Sequence, residues 1–419
     1  MNDILAIWAE WIKPSAGLPT VQWSFLLALA AAAGHLVNRY TGLPKVIGYS
    51  AIGTLAGLAG FSGAAWPLQG TGLFLLELGV AVVLFEAGGR IPLRWFRHNP
   101  MVLVQSLAES TLTFFGVYWL LGAMGMAEVI AESLALLAIA ASPAVLSRVA
   151  IDTRAAGPVT ERALVLSTLS TLYALTLCSA RAGMLPQGED GLSSTLMPVL
   201  VVLGLSVVVG AVLALTLRVA LRVMSPTSEN TAILLLTLIA AGAALAANFG
   251  GSAPLAALLG GMMLKQMNPR PWSWPRQMGT ASSMLTMLMF VLVSVVAAQA
   301  DWSRPVAGLV LALVLMRMLA KVAGVALGNA GSGTSWRQGL WVGCAMSPMS
   351  SVALLLVSQY VVASGPIGRQ IAIVALPSIL LMEMLGAVLA TVALYRAGEC
   401  SRPWAPLVRS TSTGPVHES

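Results

Sequence analysis

Apolar residues run along this chain in long blocks broken by short polar connections, with no strict alternation and no amphipathic stripe. A span across a bilayer needs about 20 mostly apolar residues. Thirteen blocks meet or approach that length, near 21–37, 44–61, 68–89, 99–124, 129–150, 158–183, 192–224, 229–249, 252–268, 280–300, 304–328, 335–363 and 367–396. The pattern predicts an all-α polytopic membrane protein of about 13 transmembrane helices. The seventh block is long enough to be tilted or to run past the membrane. Pro100, Pro158, Pro254 and Pro305 fall near helix starts, where a missing N–H costs little. Trp66, Trp95, Trp272, Trp274, Trp302 and Trp336 fall in connections or at helix ends, as an interfacial belt would.

Composition excludes a soluble protein. Hydrophobic residues make up 58% of the 419 and charged ones 9%, against about 25% charged in a soluble domain. The expected organisation is one transmembrane domain over 1–400 and a polar, disordered tail over 401–419. The formal charge of +7 does not point to nucleic acid, because the basic residues sit at the ends of apolar blocks. With the N-terminus outside, seventeen basic residues reach the inner side and four the outer, while Arg317 and Lys321 fall within the eleventh span. That asymmetry sets the orientation, and an odd span count then puts the C-terminus in the cytoplasm. Asp3 and Glu10 occupy the place where a signal peptide would be basic, and Trp8, Trp11 and Lys13 suggest an interfacial segment. Cys178, Cys344 and Cys400 form no C-x-x-C pair and no disulfide framework.

The fifth span carries Ala141-Ser142-Pro143-Ala144 and then Ser147. The twelfth carries Met346-Ser347-Pro348-Met349 and then Ser350-Ser351. Proline inside a helix removes one backbone hydrogen bond and blocks another carbonyl, at about 3 kcal/mol or more. In lipid that loss is tolerated only where protein or a watery cavity satisfies the freed groups. The two spans are seven apart and cross in opposite directions. Interrupted helices in corresponding places of opposed halves point to an inverted-repeat transporter whose broken helices cross at mid-membrane. Ordinary proline kinks are the plainer reading of each break alone.

Several strings together resemble the cation:proton antiporter superfamily, in the sodium/proton exchanger family. Gly42-Leu43-Pro44-Lys45-Val46-Ile47-Gly48-Tyr49 resembles the opening of its second helix. Glu77-Leu78-Gly79 with Leu84-Phe85-Glu86-Ala87-Gly88 resembles its third. Ala141-Ser142-Pro143-Ala144-Val145 resembles its first crossing helix, and Pro254-Leu255-Ala256-Ala257-Leu258-Leu259-Gly260-Gly261 a later one. The resemblance implies a dimer-forming panel beside a mobile core built on about 129–183 and 335–396. It implies elevator-like motion, a homodimer in the cell inner membrane, and exchange of a monovalent cation (Na⁺ or K⁺) for protons, with no cofactor.

The chain departs from that pattern in one place. Typical members carry an Asn-Asp or Asp-Asp pair halfway along the sixth helix, and here Ser170-Thr171 stands there. Hydroxyls can ligate a cation but cannot release a proton near neutral pH. Coupling is therefore altered, moved to another acid, or absent. A charge at mid-membrane costs at least about 2.5–3.5 kcal/mol, so each buried one needs a reason. Arg317 reads either as a fixed cation at the site or as half of a structural ion pair. Lys321, one turn on, reads foremost as an interface anchor. Glu383, mid-way along the thirteenth span, is the expected relocated proton carrier. Glu77 and Glu109 read as groups satisfied by interhelical hydrogen bonds, and Glu86 as a surface partner of Arg90. The expected transport residues are thus Ser142, Pro143, Ser170, Thr171, Arg317, Ser347, Pro348 and Glu383. Alternatives are a same-fold transporter of organic anions and a regulatory membrane protein. An enzyme is not expected, since H-E-x-x-H, G-x-S-x-G and any buried His or Asp cluster are missing.

Overall fold

The computed structural model describes residues 20–402, apart from 62–65, 67, 69, 92, 94–95, 97–98, 186–191, 226–227, 269–275, 301, 330–331, 333 and 350. The expected interfacial segment before Thr20, Trp95, Trp272, Trp274, Ser350 and the tail beyond Arg402 lie outside the described residues.

The described chain is helical. The elements are α1 (Thr20–Thr41), α2 (Lys45–Leu58), α3 (Gly70–Gly88), α4 (Met101–Ala123), α5 (Glu128–Ile139), α6 (Pro143–Thr153), α7 (Pro158–Met184) and α8 (Leu192–Val223). After them come α9 (Glu229–Asn248), α10 (Ala253–Met267), α11 (Arg276–Ala298), α12 (Arg304–Leu327), α13 (Trp336–Ala345), α14 (Ser351–Ala363) and α15 (Gly365–Arg396). Nine stretches among the described residues are long and apolar enough to cross a membrane, with α5 and α6 together forming one of them. The shorter or interrupted α2, α3, α10 and the pair α13–α14 supply the other four passes, making thirteen.

Local sequence explains where the helices stop. α6 begins at Pro143, whose absent N–H falls where no partner is needed, and Ser142 caps it by accepting from the Val145 N–H at 3.1 Å. α13 begins with a capping box between Ser335 and Gln338. α15 ends at Arg396, and Gly398 just beyond it, with a φ of 76°, turns the chain back under the bundle. There Cys400 bridges to Ala155. The Glu399 carboxylate accepts from the N–H groups of Val159 and Thr160, both at 2.7 Å, at the start of α7. Arg402 reaches Asn38 Oδ1 on α1 at 2.7 Å.

The helices pack as two groups. α4 to α7 pack on α12 to α15, and α1 to α3 pack with α9 to α11. α8 follows α7 and lies on α10. α5, α6 and α14 are almost wholly buried, whereas α1 and α8 expose Phe25, Leu200, Val212 and Val219 to the surroundings. Lipid solvates such side chains, so in this protein burial means protein contact and exposure means the bilayer. The fourth to sixth passes and the eleventh to thirteenth are two opposed repeats, with the broken helices α5–α6 and α13–α14 in matching places.

Candidate functional site

Close backbone contact fixes the centre of the first group. α4 and α12 meet through glycines: a Cβ on Gly324 would lie 2.4 Å from Glu109 Cα, and one on Gly328 would lie 2.7 Å from Gln105 Cα. This packing turns Glu109 of α4 toward Lys321 of α12, and the two form an ion pair in which neither side chain is exposed. On the other side, a Cβ on Gly386 of α15 would lie 2.5 Å from Pro348 Cα, so α15 rests directly on the second break.

Each break ends one half-helix and starts another near mid-bundle. The C-terminal carbonyls of α5 and the carbonyls after α13 would otherwise face a dry interior, at about 1–3 kcal/mol for each unsatisfied group. Arg317 answers both breaks at once. Its Nε donates to Ala138 O at 2.9 Å and its Nη2 to Ala140 O at 2.6 Å, across the end of α5. Its Nη1 donates to Ser347 O at 2.5 Å, and its Nη2 also to Pro348 O at 3.4 Å, across the second break. A weaker contact to Met382 Sδ at 3.5 Å takes the fifth N–H. Lys321 Nζ donates to the carbonyl between, Ile139 O, at 3.0 Å. Thr171 Oγ1, shared with Ser167 O, lies 2.9 Å from Ala141 O. Four consecutive carbonyls, Ala138 to Ala141, are thereby satisfied by Arg317, Lys321, Arg317 and Thr171 in turn. Both cations also face the negative ends of half-helix dipoles.

Glu109 is the carboxylate of this crossing. Its Oε1 faces Lys321, and its Oε2 accepts from Ser110 Oγ at 3.1 Å and lies 2.9 Å from Ser170 Oγ, whose one proton is shared with Leu166 O at 2.8 Å. Glu383 sits apart. It is buried on α15, its Oε2 lies 3.4 Å from Ser294 Oγ on α11, and its Oε1 has no hydrogen-bond partner among the described residues. Glu383 therefore lies at the boundary between the two groups of helices.

Cavities follow that boundary. One of about 330 Å³ is lined by Arg90, Ser147, Glu161 and Thr168, at the end of the bundle where basic residues collect. One of about 450 Å³ at the opposite end is lined by Glu77, Ser179, Ser358 and Gln359. The crossing lies between them. At the basic end the seam is tied by polar contacts: Arg148 of α6 donates to Ser283 of α11 at 2.8 Å, and the Lys45 N–H of α2 to Asp152 of α6 at 2.9 Å. Glu86 pairs with Arg90 at 2.6 Å with both partly exposed.

The structure brings together Ser142, Pro143, Ser170, Thr171, Arg317, Ser347 and Pro348, and sets Glu383 at the edge. Arg317 makes no ion pair among the described residues; its donors go to main-chain carbonyls. The surface-anchor reading of Lys321 is corrected, since its side chain is fully buried against Glu109. Glu109 and Lys321 were absent from the expected site. The signal available was that a buried acid and a buried base, in passes related by the repeat, need each other as partners. No cluster of three or more His, Cys, Asp or Glu able to hold a metal ion occurs among the described residues.

The transmembrane model of the sodium/hydrogen exchanger family matches residues 25–395. The chain belongs to this family. It is a multi-pass membrane protein of a transporter family, and its fold agrees. Two structures of the sodium proton antiporter MjNhaP1 from Methanocaldococcus jannaschii are similar to it. One, at pH 8, aligns with a TM-score of 0.65 and 17% identity over 88% of this chain and 97% of that chain. The other, from a 3D EM map, aligns with a TM-score of 0.66 and 17% identity over 91% and 100%. Such identity speaks to the fold alone. No curated protein matches the sequence. Within this exchanger fold, Ser170 and Thr171 are both wholly buried at the crossing, one turned to Glu109 and the other to the end of α5.

Proposed function

We propose that this protein is a secondary antiporter exchanging a monovalent cation, Na⁺ or K⁺, for protons across the cell inner membrane. The observation that carries the reading is a buried crossing of two broken helices that keeps an ionisable carboxylate at its centre, within a chain of the sodium/hydrogen exchanger family. In this reading the group α4 to α7 with α12 to α15 slides against the rest, as an elevator. The crossing then faces the cavity at one end of the seam and afterwards the cavity at the other. The polar ties at the basic end, including Arg148 to Ser283 and Lys45 to Asp152, are contacts that such a motion must break.

An organic anion as substrate is the weaker reading. Two cations stand against one carboxylate at the crossing, which would favour an anion by charge. Yet all five N–H groups of Arg317 already face acceptors, so none is left to hold an anionic group.

The deciding assay uses purified protein in liposomes holding a pH-sensitive dye, with a proton gradient imposed and Na⁺, K⁺ or Li⁺ added outside. Cation-dependent dissipation of the gradient is expected for at least one ion. Absence of a response to all three, from protein that is folded and inserted, would reject antiport. The same reading places the N-terminus outside, the C-terminus in the cytoplasm and two copies side by side. A C-terminal reporter is expected to be active in the cytoplasm; activity confined to the periplasm would overturn that orientation.

A further inference from the structure

We propose that the cation site of this chain is built on Glu109 of α4, with the hydroxyls of Ser110 and Ser170 and the main-chain carbonyl of Ile139, and that Lys321 occupies the site while it is empty of cation. The proposal rests on the antiport reading.

A dehydrated monovalent cation needs oxygen ligands and a compensating negative charge, because an isolated charge in a dry interior is expensive. Ser170 and Thr171 supply oxygens without charge. Glu383 supplies charge with Ser294 Oγ as its one hydrogen-bonding partner among the described residues. Glu109 supplies both carboxylate oxygens, and Ser110 Oγ and Ser170 Oγ lie 3.1 and 2.9 Å from Oε2. Ile139 O completes the ring from the end of α5, where its partner is Lys321 Nζ at 3.0 Å. The ammonium thus marks the position that a small cation would take: one positive charge between a carboxylate oxygen and a half-helix carbonyl.

The exchange balances in charge and protons. With the site empty, Glu109 is a carboxylate and Lys321 an ammonium. A cation takes the carboxylate, Lys321 Nζ gives up one proton to water, and the neutral amine withdraws. The reverse step returns the proton and releases the cation, one for one. The groups facing Glu109 fit this division of labour. From α12 come Lys321 and Arg317, the latter bound to carbonyls. From α7 come Ser170 and Tyr173, with Arg162 nearer the basic end beside Gln105. From α5 comes the Ile139 carbonyl, with Glu128 and Glu132 at its far end.

The liposome assay tests this with variants. Glu109→Gln keeps the side-chain shape and is expected to lower cation-dependent proton movement by about 100-fold, the equivalent of a charged ligand worth ~2.7 kcal/mol. Ser170→Ala removes one oxygen and is expected to raise the apparent KM for the cation about fivefold with kcat largely kept, as loss of one hydrogen-bonding ligand worth ~1 kcal/mol would. Lys321→Gln is expected to bind cation with an affinity that no longer varies with pH, read by equilibrium binding in detergent. If Glu109→Gln does not fold, the Ser170→Ala shift and the Lys321→Gln binding curve decide. Wild-type exchange with an unchanged KM and pH profile in these variants would overturn the proposal. So would exchange lost in Glu383→Gln but kept in Glu109→Gln, which would move the carrier to α15. A wild type that moves no cation would instead fail the antiport reading itself.

Discussion

Arg317→Leu is expected to destabilise the protein by about 4 kcal/mol and to abolish transport. The substitution removes a buried charge, which by itself gives back roughly 3 kcal/mol on insertion scales. It also strips the donors from four main-chain carbonyls, at Ala138, Ala140, Ser347 and Pro348. At about 1–3 kcal/mol each, those orphaned acceptors outweigh the gain. The negative ends of two half-helices are then left facing one another with only Lys321, held at Ile139 O, beside them. Arg317→Lys should fall between wild type and Arg317→Leu, because three donors on a single nitrogen cannot span both breaks. Thermal unfolding of the purified protein in detergent, monitored by loss of a monodisperse peak, measures the effect. An Arg317→Leu curve coincident with that of wild type would mean that the carbonyls find other donors, and that the guanidinium does not hold the crossing.

Gly324→Leu is expected to be similarly severe for a steric reason. Even the first carbon of the new side chain would lie 2.4 Å from Glu109 Cα, 2.9 Å from Glu109 N and 3.1 Å from Ala108 O. These are backbone atoms and cannot swing aside, so α4 and α12 must separate. Overpacking of this kind costs about 1–3 kcal/mol or more. The separation also draws Glu109 from Lys321, so exchange should be lost even in the fraction that folds. Gly308→Ala provides the comparison on the same helix. A Cβ there meets nothing within 4 Å, so alanine should leave stability unchanged or raise it by up to about 1 kcal/mol. Equal transport by Gly324→Leu and wild type would show that the α4–α12 contact is slack.

Much of this architecture was legible along the chain. Apolar blocks of membrane length gave the thirteen passes, because lipid imposes a simple length rule and leaves few other ways to solvate such segments. Ser142-Pro143 and Ser347-Pro348 marked the two breaks, since proline cannot continue a helix hydrogen-bond ladder whatever its surroundings. Both breaks occur where expected. The partners of the buried charges were much less legible. Lys321 read as an interface anchor because its position along the span suits snorkelling, and nothing in one helix says which face its neighbours cover. Glu109 read only as a group awaiting hydrogen bonds for the same reason.

By itself, then, the sequence determined the membrane setting, the number of passes, the broken helices and the absence of an acidic pair at Ser170-Thr171. These are properties of single segments, set by local hydropathy and by the covalent geometry of proline. The tertiary structure decided that Arg317 is spent on the carbonyls of both breaks, that Lys321 turns inward to Glu109, and that Ser170 points at that carboxylate. It also set Glu383 against Ser294 at the boundary between the helix groups. Those assignments depend on which helix faces meet, and the faces are chosen by close contacts such as Gly324 on Glu109 and Gly386 on Pro348. Contacts of that kind join residues more than 35 positions apart in the chain, and no local pattern encodes them.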